Sequence, residues 1–209
     1  MDLGNFFMDA QFPQVKQKDW MSEKNLELVT EDTLKRVIDA CIDSGLYALD
    51  IETTGLNFNV ERGETVDKIV GLCLSPDGHN GYYVPLRHRS EEGEHHPANL
   101  PFHRVHGEML RLVKSGARAI FHNGKFDTAF LQHNGQSEPW GEWDDPKLWE
   151  DTMILAYLRN TRARQKGLKY LSKEDLGMEM IELKELFPVR KHRGPLDFST
   201  LDPTKPEVI

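Results

Sequence analysis

The stretch that most constrains this chain is YALDIETT, residues 47 to 54. Tyr47, Ala48, Leu49 and Ile51 read as a buried strand, yet Asp50 and Glu52 lie inside it. Side chains alternate along a strand, so the two carboxylates leave from one face and Leu49 and Ile51 from the other. A strand this apolar is predicted to lie centrally, covered on both faces. Two adjacent carboxylates buried there without a partner would be strongly destabilising. A cation must face them, and the strand itself holds no Lys or Arg. Hard divalent ions, Mg²⁺ or Mn²⁺, suit the position because they prefer oxygen ligands.

The rest of the chain is read around that strand. In TEDTLKRVIDACIDSG, Leu34, Val37, Ile38, Cys41 and Ile42 recur at helical spacing, with acids at the start and Gly45 at the end. KIVGLCLS and NGYYVPL are two further strands, separated by an Asp77-Gly78 turn. Short links between the three strands favour an antiparallel meander. A histidine-rich loop over 87–103 precedes an amphipathic helix carrying Val105, Met109, Leu112 and Val113. RAIF, 118–121, reads as a strand that can run parallel beside the first, followed by a helix over NGKFDTAFLQHNG. LWE, 148–150, is a last short strand before the helix DTMILAYLRN, and GLKYLSKEDLG is one more helix. The order predicts an α/β mixed sheet flanked by helices, the meander joined to parallel strands. Residues 1–29 read as an N-terminal arm. The tail 188–209, with Pro188, Pro195, Pro203 and Pro206, reads as extended.

The chain has 209 residues, 38% hydrophobic and 9% aromatic, enough for one domain with a real core. No apolar run is long enough to cross a bilayer, and the first twenty residues do not read as a secretory signal. Its two cysteines, Cys41 and Cys73, sit in apolar segments and read as small core residues of a reduced, cytoplasmic protein. Two are too few for a cysteine zinc cluster. The net charge of −8 argues against a nucleic-acid coat protein, whose affinity rests on many phosphate contacts. It leaves room for an enzyme that holds a nucleic-acid end in one cleft, where metal ions supply the positive charge.

A third carboxylate appears in FHNGKFD, 121–127. Asp127 falls in the first turn of the helix that follows RAIF, close to the open end of the first strand. Asp50, Glu52 and Asp127 could hold two metals ~4 Å apart, activate a water and stabilise a leaving oxygen in phosphodiester hydrolysis.

LDIETTGL, HNGKFDTAFL and EDTMILAYLRN together resemble the 3′–5′ proofreading exonuclease domain of DNA polymerase I-type (family A) DNA polymerases. That domain belongs to a wider group with four metal-binding acids on a ribonuclease H-like fold. The resemblance runs from about Thr30 to the end of the chain. It implies that Asp50, Glu52 and Asp127 are the catalytic acids and bind two Mg²⁺ or Mn²⁺ ions. It also implies that Thr53, Leu56 and Asn123 hold the end of the nucleic acid. The implied partners are a single-stranded DNA 3′ end and a polymerase domain, in cis or in trans, in a cytoplasmic replication protein of phage or bacterial type. The family's third motif, Tyr-x-x-x-Asp on a late helix, has no counterpart after residue 157. FSTLD, 198–202, has Phe in place of Tyr and Pro203 directly after it, so it reads as a decoy. The expectation is an exonuclease-like domain over 30–209 that is incomplete at its C-terminus and weakly active or inactive alone. A ribonuclease D-like enzyme acting on RNA shares the same acids. A non-catalytic fragment that binds nucleic acid or a partner chain is the reading from another class.

Simpler readings stand beside these. Asp151 opens a helix and reads as its N-cap rather than as a ligand. Asn123 suits either a helix cap or a nucleotide contact, and Leu56 either the core or a base contact. Five of the nine histidines fall between His88 and His106. His103 and His106 have a metal-like spacing, but nothing completes a site, so this region reads as solvated. Arg162, Arg164, Lys166 and Lys169 form either a backbone-contacting strip or a solvated link.

Overall fold

The computed structural model describes residues 25–57, 67–90, 92–133, 139–162, 164–180 and 198–205. Their strands are β1 (Asn25–Leu28), β2 (Leu46–Thr53), β3 (Ile69–Ser75), β4 (Asn80–Pro85), β5 (Arg118–Phe121) and β6 (Trp149–Asp151). They form one sheet in the order β1-β4-β3-β2-β5-β6. The β2-β3-β4 meander is antiparallel, as its short links predict. β5 runs parallel to β2, β6 parallel to β5, and β1 parallel to β4. β2 is therefore central, paired on both sides. β1 is the addition: part of the segment read as an arm forms an edge strand, held onward by the Val29 amide donating to the Tyr83 carbonyl at 2.8 Å. Residues 1–24 and most of the proline-bearing tail lie outside the described residues.

The helices are α1 (Glu31–Ser44), α2 (Phe102–Lys114), α3 (Gly124–His133), α4 (Thr152–Arg159) and α5 (Leu168–Leu176). α1 starts at a capping box, in which Thr30 and Thr33 satisfy each other's backbone amides, and stops at Gly45 with φ 69°. Its buried face is Leu34, Val37, Ile38 and Cys41, the predicted stripe. α2 packs beside it through Val105, Met109, Leu112 and Val113. Tyr47, Leu49 and Ile51 join these residues in the core. One face of β2 is thus fully used for packing, while the other, carrying Asp50 and Glu52, is open rather than covered as predicted: Leu46, Ala48 and Asp50 are exposed.

Two histidines of the region read as solvated are buried instead. His88 is 1% exposed. Its Nδ1 donates to the Leu201 carbonyl at 2.8 Å, so Nε2 accepts the Tyr83 hydroxyl at 2.6 Å. Phe198, in the 3₁₀ turn Phe198–Thr200, packs edge-on against Tyr83. His106 stacks on Phe102, and its Nε2 bonds the Pro139 carbonyl at 3.0 Å. The two rings fill core positions whose polar atoms find backbone partners far away in sequence. His103 is exposed, as read. Cys41 is buried, whereas Cys73 is only partly so and shares the face of Asp50.

α4 is unusual in burying none of its residues. Ile154, Leu155, Tyr157 and Leu158 are 52%, 51%, 50% and 68% exposed. The helix is held at its ends, by the Asp151 carboxylate at the start and an Arg159–Asp175 ion pair of 2.7 Å at the finish.

Candidate active site

Asp50 and Glu52 leave β2 on the face opposite Leu49 and Ile51, as strand alternation requires. Between Glu52 and Thr53 the pairing with β3 slips, so the bulge re-aims the strand just past the acids. Thr53 Oγ1 then donates to the Gly55 carbonyl at 2.7 Å. Asp67 ties down the following turn: its carboxylate accepts from Thr54 Oγ1 at 2.9 Å and from the Asn57 amide at 2.8 Å. Leu56 is left 80% exposed, which removes the core reading for it.

The third acid arrives from α3. β5 lies beside β2, and the chain leaves Phe121 through a tight turn into α3. Asn123 takes φ 68°, the left-handed region, rather than the extended backbone of a helix cap. Asp127 is 2% exposed, and its Oδ1 accepts the Ile51 amide at 3.3 Å. That contact inserts Asp127 at β2 between Asp50 and Glu52. The fold therefore joins the predicted acids, and it puts Asn123 and Thr53 at strand ends beside them.

The electrostatics record the crowding. Glu52 is pushed up to about 7, first by loss of hydration and then by the charges of Asp50 and Asp127. Asp127 is likewise pushed up to about 7, by burial and then by Asp50. Asp50 is open to solvent at its tip, but the surrounding protein strips enough water to raise it. Hydrogen bonds from Ile51 and Asp127 and the charge of His122 oppose that rise. Among the described residues no Lys or Arg forms an ion pair with any of the three.

Carboxylates that repel one another and lack a cationic side chain fit a divalent metal in their chemistry. As placed, they do not close around one point: among the described residues no three His, Cys, Asp or Glu side chains form a ready metal cage. They form an open cluster whose side chains must turn to share an ion.

Two further acids are engaged by neighbouring N–H and O–H groups. Asp151 caps α4, accepting from Met153 N at 2.8 Å and Ile154 N at 3.3 Å. Asp202 is taken up by Thr204, accepting from its amide at 2.9 Å and its hydroxyl at 2.6 Å, with His96 Nε2 at 3.4 Å. Arg162, Arg164 and Lys169 are exposed, and Lys166 lies over the Tyr157 ring at 4.9 Å.

Sequence reasoning missed His122. Its Nδ1 donates to Thr152 Oγ1 at 2.8 Å, and Thr152 in turn donates to the Phe121 carbonyl at 3.0 Å. Nε2 is buried with no hydrogen-bond partner among the described residues. Its place was legible in principle. Ile120 pairs with Ala48, so His122, two residues on, continues the face of Asp50.

No protein-family model matches the chain, and no curated protein matches it significantly. Solved structures do. Trypanosoma brucei RNase D superposes with a TM-score of 0.59 at 14% identity, over 88% of this chain and 58% of its own. The Aedes aegypti Nibbler EXO domain gives 0.52 at 12% identity, over 80% of this chain and 78% of its own. Brucella melitensis NrnC is 23% identical over 66% of this chain and 55% of its own, with a TM-score of 0.45. The chain thus spans little more than half the length of RNase D or NrnC. None of the three is named as a polymerase. At these identities the likeness is one of architecture, and the chain has a ribonuclease H-like α/β fold.

Proposed function

We propose that this chain is a metal-dependent 3′–5′ exonuclease acting on single-stranded RNA in the manner of a ribonuclease D. The observation that carries the reading is the insertion of Asp127 between Asp50 and Glu52 at the end of the central strand, with no Lys or Arg paired to any of them among the described residues. Asp50, Glu52 and Asp127 would hold Mg²⁺ or Mn²⁺. When bound, such ions neutralise a phosphodiester and acidify a water. The chain's own groups do the rest. Thr53, just past the bulge, Leu56, with an exposed apolar surface for a base, and Asn123, with an amide for the terminal nucleotide, would hold the 3′ end. Water oxygen bonds to phosphorus, the bond to the preceding 3′ oxygen breaks, and a nucleoside 5′-monophosphate leaves. RNA is preferred as substrate because RNase D, including its complex with RNA U12 at a TM-score of 0.53, is among the structures that share the fold.

Removal of mismatched ends from DNA is the second reading, favoured by the run LDIETTGL, HNGKFDTAFL and EDTMILAYLRN. In that case a polymerase domain is the partner. A time course on matched, end-labelled RNA and DNA 20-mers with Mn²⁺ separates the two. Stepwise shortening of RNA to nucleoside monophosphates is the expected result, and faster shortening of DNA would transfer the assignment to proofreading. Metal-dependent binding without any product would make the chain a binding module.

Asn123→Ala is expected to weaken binding of a single-stranded 3′ end about tenfold, the scale of one lost hydrogen bond to a charged or well-placed partner, while Mn²⁺ affinity stays unchanged. Fluorescence anisotropy and calorimetry measure the two quantities. Equal losses in both would show that Asn123 supports the metal acids instead.

A further inference from the structure

The carboxylate of Asp151 does more than cap a helix. Capping α4 uses the amides of Met153 and Ile154. The same carboxylate also accepts two amides from a different turn, Asn123 N on Oδ1 at 3.2 Å and Gly124 N on Oδ2 at 3.0 Å. Asp151 is 7% exposed, a burial that an N-cap at a helix start does not require. Its register partner is Phe121, so the side chain sits directly beside the point where β5 gives way to α3. The next residue adds a second tie: Thr152 Oγ1 donates to Phe121 O and accepts from His122 Nδ1. Residues 121 to 124 are thus fastened, one by one, to the dipeptide Asp151-Thr152.

The fastened turn is a demanding one. Asn123 is the one non-glycine residue with positive φ among the described residues. A Cβ at Gly124 would lie 2.8 Å from the Phe121 Cβ and 3.1 Å from the Trp149 ring. A left-handed residue followed by so close an approach persists only where its surroundings fix it. The two amides on either side of the left-handed bend, those of Asn123 and Gly124, point at one buried carboxylate, and that is what fixes it.

We propose that Asp151 is a positioning residue for the site: through the Asn123 and Gly124 amides it sets the direction of the Asn123 side chain. The proposal rests on the reading above, in which Asn123 holds the 3′ end. The Asp151 carboxylate is taken up by four backbone amides, and its charge reaches Asp127. It leaves the sheet on the Phe121 face, whereas Asp50 and Glu52 leave on the other.

Asp151→Asn tests this without destroying the cap. Its one remaining oxygen can keep Met153, Ile154 and Asn123, and its amide nitrogen meets the Gly124 N–H donor to donor. The expected results are a melting temperature within a few °C of wild type and amide exchange at Gly124 faster by at least about tenfold, with Met153 and Ile154 unchanged. Affinity for a labelled single-stranded RNA 3′ end, read by anisotropy in Ca²⁺, should fall about tenfold. Adding Asn123→Ala to Asp151→Asn should then cost little more, because both act through one contact. A merely structural role predicts the opposite pattern, losses that multiply. Multiplying losses, unchanged Gly124 exchange, or wild-type affinity in Asp151→Asn would each overturn the proposal. Should the wild-type chain bind no nucleic acid, the proposed function fails, and Gly124 exchange alone still decides whether the clasp exists. If Asp151→Asn does not fold, Thr152→Val removes the second tie at constant shape and is expected to weaken 3′-end binding in the same sense.

Discussion

On the proposed reading, Asp50→Ala is expected to lower the rate of 3′-end hydrolysis by on the order of a thousandfold, the scale of removing a group that acts directly on the charge developing in the transition state. The same substitution raises the melting temperature of the metal-free chain by a few °C. Both effects have one origin. Asp50 is the charge that most raises Asp127, and the larger of the two neighbouring charges that raise Glu52. With metal bound, that density of charge is what the site uses; without metal, it is repulsion stored in the fold. Initial rates on labelled RNA and thermal melts in EDTA measure the two halves. Loss of activity together with a clear fall in the metal-free melting temperature would contradict the clustering and leave Asp50 as an ordinary structural residue.

Raising the pH from 5 to 8 destabilises the metal-free chain, and Mn²⁺ reverses the trend. Glu52 rises from 4.5 and Asp127 from 3.8, each to about 7. Below pH ~4 both carboxyls are protonated in the folded and unfolded chains alike, and the shifts have no effect. Between pH ~4 and 7 the unfolded chain has released protons that the native site still holds, so stability falls as pH rises, and above 7 the full penalty applies. Metal competes with those protons, so its stabilising effect grows over the same window. The check is a set of melts at pH 5 and pH 8, with and without Mn²⁺, on wild type and on Glu52→Gln combined with Asp127→Asn. Wild type should lose several °C more than the double variant in EDTA. Identical pH slopes in the two proteins would show that the carboxylates do not share one field.

Much of this was legible in the sequence because it is local. The alternation in YALDIETT placed Asp50 and Glu52 on one face, and the 3.6-residue stripe of α1 and its stop at Gly45 emerged as read. Even the pairing of β5 with β2, a long-range contact, was legible in the order of the elements, and it brings Asp127 towards the other acids. What the sequence hid is carried by partners far apart. β1 has the pattern of two exposed and two half-buried residues, with no alternation to mark it; it exists because Asn80–Tyr83 offer it an edge. His88 looked like part of a solvated loop because its backbone acceptor, Leu201, lies 113 residues away. Asp151 reads locally as a cap, and nothing in DTM announces a second pair of amides 27 and 28 residues upstream. Asp67 is hidden in the same way, a single acid in a charged loop that turns out to anchor the turn carrying Leu56.

The bare surface of α4 limits how long the site can stay assembled. The helix has 8 residues and buries none of them, while an isolated helix in water needs ~12–15 residues even to be marginal. With no fully buried residue, its persistence rests on polar ties: the Asp151 carboxylate, the Thr152 hydroxyl and the exposed Arg159–Asp175 pair. α4 therefore belongs among the first parts of the chain to open, at a free energy well below that of the sheet. Because one carboxylate serves both α4 and the Asn123–Gly124 turn, these openings are shared. Each unwinding of α4 loosens the turn beside the acids, and on the proposed reading the waiting time for that event would set how long Asn123 can hold a 3′ end.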